Sequence, residues 1–264
     1  VQWRPGYDQI LLGLVVALSA AGFVMMGSAS MDYASEQFAN PFFHIYRHGF
    51  YLLLGSFALV LTLYIPLRLW ESAGPMLLIA GMVLLALLLV PGIGRKVNGA
   101  TRWIALGPLN LQPSELMKLF AVLYTADYKV RKINVMHDLK QAFLPMFGAM
   151  AVVGMLLLKE PDFGAFVVII AIAMGILFLG GLKARLFALL IVGLLAAFAV
   201  LIIVSPYRRD RVFGFMDPWA DAFGRGYQLS HSLIAFGRGE LFGVGLGASV
   251  EKLFYLPEAH TDFL

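Results

Sequence analysis

Cysteine is absent from the 264 residues, which rules out a disulfide framework and is compatible with an oxidising outer face without fixing the compartment. Charge is scarce as well. Asp, Glu, Lys and Arg make up 14% of the chain, against roughly a quarter in soluble domains. Also missing are the short dyad-period segments of a spanning β-barrel and any ligand cluster with readable metal-binding spacing. Hydrocarbon takes up the difference: hydrophobic residues account for 60% of the chain, and they lie in long runs rather than in amphipathic stripes.

That pattern predicts an all-α polytopic membrane protein, with residues 1–264 as one integral membrane domain. Seven transmembrane helices are expected, at about 10–26, 50–64, 76–90, 113–128, 143–158, 163–180 and 186–204. The fourth reaches a crossing length only when extended back to Pro113, because a helix needs roughly 20 residues to cross the hydrocarbon. Ser19-Ala20-Ala21 could pass for a signal-peptidase site, but six further spans favour a retained first helix. A large extracytoplasmic loop, 205–261, follows the seventh span. The chain lacks an initial methionine and stops where an eighth apolar run would begin, so it is expected to be a piece of a longer protein.

Orientation rests on charge. Total Lys and Arg favour the opposite side, but the density per loop residue and the cluster Lys129, Arg131 and Lys132 put the N-terminus in the cytoplasm. The outer surface is then unusually basic. It is either a solvated loop balancing its own carboxylates or a face that attracts an anionic lipid-linked group.

Polar residues gather at a few places. After the third span come Lys96, Arg102 and Trp103; the tryptophan is an interfacial anchor or a platform for a sugar ring beside cations that meet phosphate. In Gln112-Pro113-Ser114-Glu115-Leu116-Met117-Lys118, proline suits the first helical position and Glu115 the positive end of the helix dipole. Lys118 lies one turn deeper on the same face. Ionisable groups at such depth are costly and usually paired, which predicts a Glu115 and Lys118 pair lining a polar cavity. Pro161 and Asp162 repeat the device, with Asp162 as dipole partner or cavity lining. The chain closes on Pro257 to Phe263, where Thr261 is a candidate N-cap and Asp262 opens a helix, as a capping carboxylate or as a chemical group. Aromatics interleaved with glycine before it suggest a packed lid.

Together these segments resemble the SEDS (shape, elongation, division and sporulation) family of bacterial wall polymerases, the RodA/FtsW family. The residues that carry the likeness are Asn98-Gly99-Ala100-Thr101-Arg102-Trp103-Ile104, the Gln112 to Lys118 segment, Glu160-Pro161-Asp162-Phe163-Gly164, Gly226-Tyr227-Gln228-Leu229-Ser230, and Pro257 to Phe263. Ala235 to Leu241 and Pro257-Glu258-Ala259-His260 resemble the division branch more than the elongation branch. Glu160 departs from the pattern, since glutamine is usual before Pro-Asp.

The resemblance implies about ten helices in the full fold and polymerisation of lipid II into β-1,4-linked glycan strands, with release of undecaprenyl pyrophosphate. Asp262 matches the family's catalytic aspartate and would act as general base. Arg102, Lys96, Arg211 and Arg238 would meet phosphate, Trp103 and His260 would bind substrate, and Glu115, Lys118 and Asp162 would line the cavity. A divalent cation, magnesium or manganese, could share the phosphate work; no organic cofactor is expected. The implied partners are membrane lipid, a class B penicillin-binding protein acting as transpeptidase and other division proteins, with no nucleic acid. The implied location is the bacterial inner membrane at the division septum. Three rivals are a lipid II flippase, an elongation polymerase and a division scaffold. Glu115, Asp162 and Asp262 near one leaflet favour chemistry at one face over a full crossing.

Overall fold

The computed structural model describes residues 8–97, 100–107, 109–132 and 144–261. In chain order they form α1 (Gln9–Phe38), α2 (Phe43–Tyr64), α3 (Leu67–Leu88), β1 (Gly94–Val97), β2 (Ala100–Leu106), β3 (Leu109–Leu111), α4 (Pro113–Arg131), α5 (Leu144–Lys159), α6 (Phe163–Leu179), α7 (Ala184–Val204), α8 (Pro206–Met216) and α9 (Tyr227–Gly239). Every expected span corresponds to a helix. Among the described residues, α1, α2, α3 and α7 are long and apolar enough to cross a membrane, while α5 and α6 are shorter apolar helices. The fold is therefore that of a helical membrane protein.

The helix ends follow from local chemistry. Asp8 caps α1 by accepting from the backbone N–H groups of Ile10 and Leu11 at 3.0 and 3.1 Å, satisfying donors that have no intrahelical partner. Proline opens α4 and α8 at the position where its missing N–H costs nothing. Helices α1 and α3 reach well beyond their expected spans. α3 begins at Leu67 and runs through Pro75, because packed neighbours let membrane helices tolerate an internal proline. α1 continues twelve residues past Met26, where Met26, Gly27, Ser30 and Ala34 form a buried stripe at helical spacing.

Residues 63–197 make one compact unit. Its core joins Leu78 and Leu85 of α3, Met117 and Ala121 of α4, Val153 and Leu157 of α5, and Ile169 and Ala173 of α6. Glycine permits the closest approaches: a Cβ on Gly81 would lie 2.5 Å from the Met117 sulfur, and one on Gly154 would lie 2.6 Å from the Phe166 ring. The segment after α3, expected as a loop, is a three-stranded antiparallel sheet in the order β1-β2-β3. Arg95 pairs with Trp103 and Ile104 with Leu111, with an irregularity between Arg95 and Lys96.

Residues 1–62 and 198–264 make the other unit. The segment 205–261, expected as a loop, contains α8 and α9. Its aromatics give it little packing: Trp219, Phe236, Phe254 and Tyr255 are exposed and Phe242 is 99% exposed, while Tyr227 is half-buried against the His231 ring. Polar contacts hold the segment instead. The Gly247 N–H donates to Ser28 Oγ at 2.9 Å, and Lys252 pairs with Asp32 of α1 at 2.9 Å.

Candidate functional site

In the unit 63–197 the polar motifs meet where β2, the start of α4 and the turn from α5 to α6 come together. Gln112 Nε2 donates to Ser114 Oγ at 3.0 Å, and the Ser114 hydroxyl donates to Asp162 Oδ2 at 2.8 Å. The other Asp162 oxygen accepts from the Ala165 N–H at 3.3 Å and so caps α6. One buried carboxylate thus joins two helix starts and lies against the positive end of a helix dipole. One turn into α4, Lys118 and Glu115 form the expected ion pair, at 2.8 Å.

Arg102, on β2, turns its guanidinium to the Pro161 carbonyl. Beside it lies Glu160, 1% exposed, with neither carboxylate oxygen partnered among the described residues. Burial is the main reason its pKa is pushed up to about 8; the Asp162 carboxylate adds to the rise and Arg102 opposes it. Glu160 therefore keeps its proton to a higher pH than an ordinary carboxyl does. Trp103 is half-buried and Lys96 exposed on the same small sheet.

In the other unit, the Arg211 guanidinium sits over the Tyr207 ring at 5.1 Å. Arg238 contacts Glu251 at 3.4 Å. His260 stacks on Tyr33, with centroids 5.1 Å apart, and its ring lies 4.8 Å from that of His44. Thr261 bonds back to Glu258. Asp262 lies outside the described residues, as do Asn98 and Gly99 of the motif before Trp103.

Four groups went unread in the sequence: Tyr33, His44, His231 and Glu251. His44 and Tyr33 meet His260 from far along the chain, and Glu251 lies 20 positions from His231 and 13 from Arg238, so no local spacing announces these contacts. Among the described residues no three His, Asp or Glu side chains converge as metal ligands would.

The family profile FtsW/RodA/SpoVE, described as a cell cycle protein, matches residues 8–264. A protein of Aromatoleum aromaticum named probable peptidoglycan glycosyltransferase FtsW is 58% identical over 260 residues, covering 97% of this chain and 63% of the relative. One of the same name from Nitrosococcus halophilus is 52% identical, covering 98% and 67%. This chain therefore spans only about two thirds of their length. Among solved structures, a chain from a peptidoglycan synthase complex that coordinates polymerization and crosslinking superposes with a TM-score of 0.68 at 35% identity, covering 90% of this chain and 67% of that one. The Thermus thermophilus rod shape determining protein RodA gives 0.61 at 33%, covering 75% and 60%. With the match running through the proline-led α4 start, the Pro161-Asp162 turn and the closing Pro257 to Phe263 segment, this chain is a multi-pass membrane protein of the FtsW/RodA/SpoVE family.

Proposed function

We propose that the protein to which this chain belongs is a peptidoglycan glycosyltransferase that polymerises lipid II into β-1,4-linked glycan strands during cell division. The observation that carries this reading is the 58% identity to a probable peptidoglycan glycosyltransferase FtsW over 97% of the chain.

The chemistry asks for two things. An acceptor hydroxyl must lose a proton as it attacks the anomeric carbon, and a diphosphate must leave as its charge grows. Asp262 is assigned the first task as general base, and inversion from an α-linked donor to a β product requires no covalent enzyme intermediate. Arg102, Lys96, Arg211 and Arg238 are assigned the second, since cations aimed at a developing charge stabilise it. Trp103 and His260 would position substrate, and Glu115, Lys118 and Asp162 would line its cavity. A divalent ion, magnesium or manganese, would share the neutralisation of the leaving diphosphate.

The same reading includes one integral membrane domain with seven spans, a cytoplasmic N-terminus and a large outward segment at 205–261. It places the protein in the bacterial inner membrane at the septum, beside a class B penicillin-binding protein. Purified full-length protein, alone and with that transpeptidase, should convert labelled lipid II into long glycan strands. A protein that moves lipid II across vesicles without polymerising it would overturn the reading.

A further inference from the structure

Arg238 ends α9 on the face that also carries Tyr227 and His231, four and seven residues apart along the helix. Opposite that face, Glu251 is 5% exposed. One of its oxygens meets His231 Nδ1 at 2.7 Å and the other meets Arg238 Nη1 at 3.4 Å. Its neighbours hold it in place: the Leu256 N–H donates to its backbone carbonyl at 2.8 Å, Lys252 ties the turn to Asp32, and His231 is flanked by the Tyr227 and Tyr255 rings. Arg238 itself remains 58% exposed.

A carboxylate this buried is costly unless both oxygens are engaged, and here they are engaged by the part-buried His231 imidazole and the exposed Arg238 guanidinium. A guanidinium has five N–H donors in a rigid fork. Glu251 contacts it through one terminal nitrogen, which leaves donors for a second, bidentate anion. Holding a long side chain in advance reduces the ordering that binding must otherwise impose.

We infer that Glu251 is a positioning residue, fixed by His231, that aims the exposed fork of Arg238 at the diphosphate of a polyprenyl-linked ligand. This deepens the proposed function and rests on it. The sign of its effect is diagnostic. By charge alone, removing a carboxylate beside a phosphate-binding cation should tighten anion binding. A positioning role requires the opposite.

The test measures binding of undecaprenyl pyrophosphate in detergent micelles to the full-length protein, with undecaprenol as the uncharged control and melting curves alongside. Glu251→Gln should weaken diphosphate binding about five- to tenfold and leave undecaprenol binding unchanged. In an Arg238→Ala background the same change should have no further effect, as expected for two residues acting as a unit. Glu251→Asp, which keeps the charge but shortens its reach, should show the same loss and keeps the test open if the glutamine variant folds poorly. Equal or tighter diphosphate binding by a folded Glu251 variant, or a loss that adds to that of Arg238→Ala, would overturn the assignment alone. A parent protein that neither binds the diphosphate nor polymerises lipid II would overturn the functional reading and the assignment together.

Discussion

Replacing Glu160 with glutamine should change how stability depends on pH. The carboxyl is buried with both oxygens unpartnered among the described residues, and its pKa rises from 4.5 to about 8. A raised pKa means that the folded protein keeps a proton that the unfolded chain gives up. The benefit is complete below pH 4.5 and is lost progressively as pH climbs towards 8. At about 1.4 kcal/mol for each tenfold change in proton affinity, the loss across that window is on the order of 5 kcal/mol. Glutamine has no proton to lose. Glu160→Gln should therefore melt close to the parent at pH 5 and pull ahead as pH rises, by about 10 °C near pH 8 on the usual scaling of melting point with stability. The assay is thermal unfolding of the detergent-solubilised protein from pH 5 to 8.5, parent and variant in parallel. Parent and variant curves that keep a constant gap across this range would refute the reasoning. A variant less stable than the parent at pH 8 would show instead that Glu160 is ionised and held by Arg102.

Other outcomes are expected from the same region. Lys118→Met or Glu115→Gln alone should lower yield and melting point more than the two changes together, because each single change strands one partner of the 2.8 Å pair; a harmless Lys118→Met would show that the pair is dispensable. Ser114→Ala removes the buried 2.8 Å donor to Asp162 and should cost about 1.5 to 3 kcal/mol, the range for hydrogen bonds to charged groups, read as a lower melting point that Ser114→Thr partly restores.

How much could be read from the sequence depended on the distance over which the determining interactions act. The apolar runs announced the helices, and Pro113 and Asp162 marked the starts of α4 and α6, because caps act within a few residues. The ion pair of Glu115 and Lys118 was legible for the same reason, being one helical turn apart. Other features were illegible. The strands from Gly94 to Leu111 are short, glycine-punctuated and charged, so their pairing shows only when they fold on one another. Ser28, Ser30 and Asp32 look like the end of a span, yet they continue α1 because a later part of the chain supplies partners for Ser28 and Asp32. Glu251 lies 20 residues from His231 and 13 from Arg238, beyond the reach of any local period.

The most direct measurement is turnover of labelled lipid II by full-length protein carrying Asp262→Ala, with yield, melting point and transpeptidase binding followed in the same preparations. If Asp262 is the general base, glycan synthesis should fall by about a hundred- to ten-thousand-fold, while the melting point and partner binding stay near those of the parent. A well-folded variant that still makes long strands near the parent rate would contradict that assignment. If turnover held while the melting point dropped by the equivalent of about 0.5 to 2 kcal/mol, Asp262 would be a helix cap and nothing more.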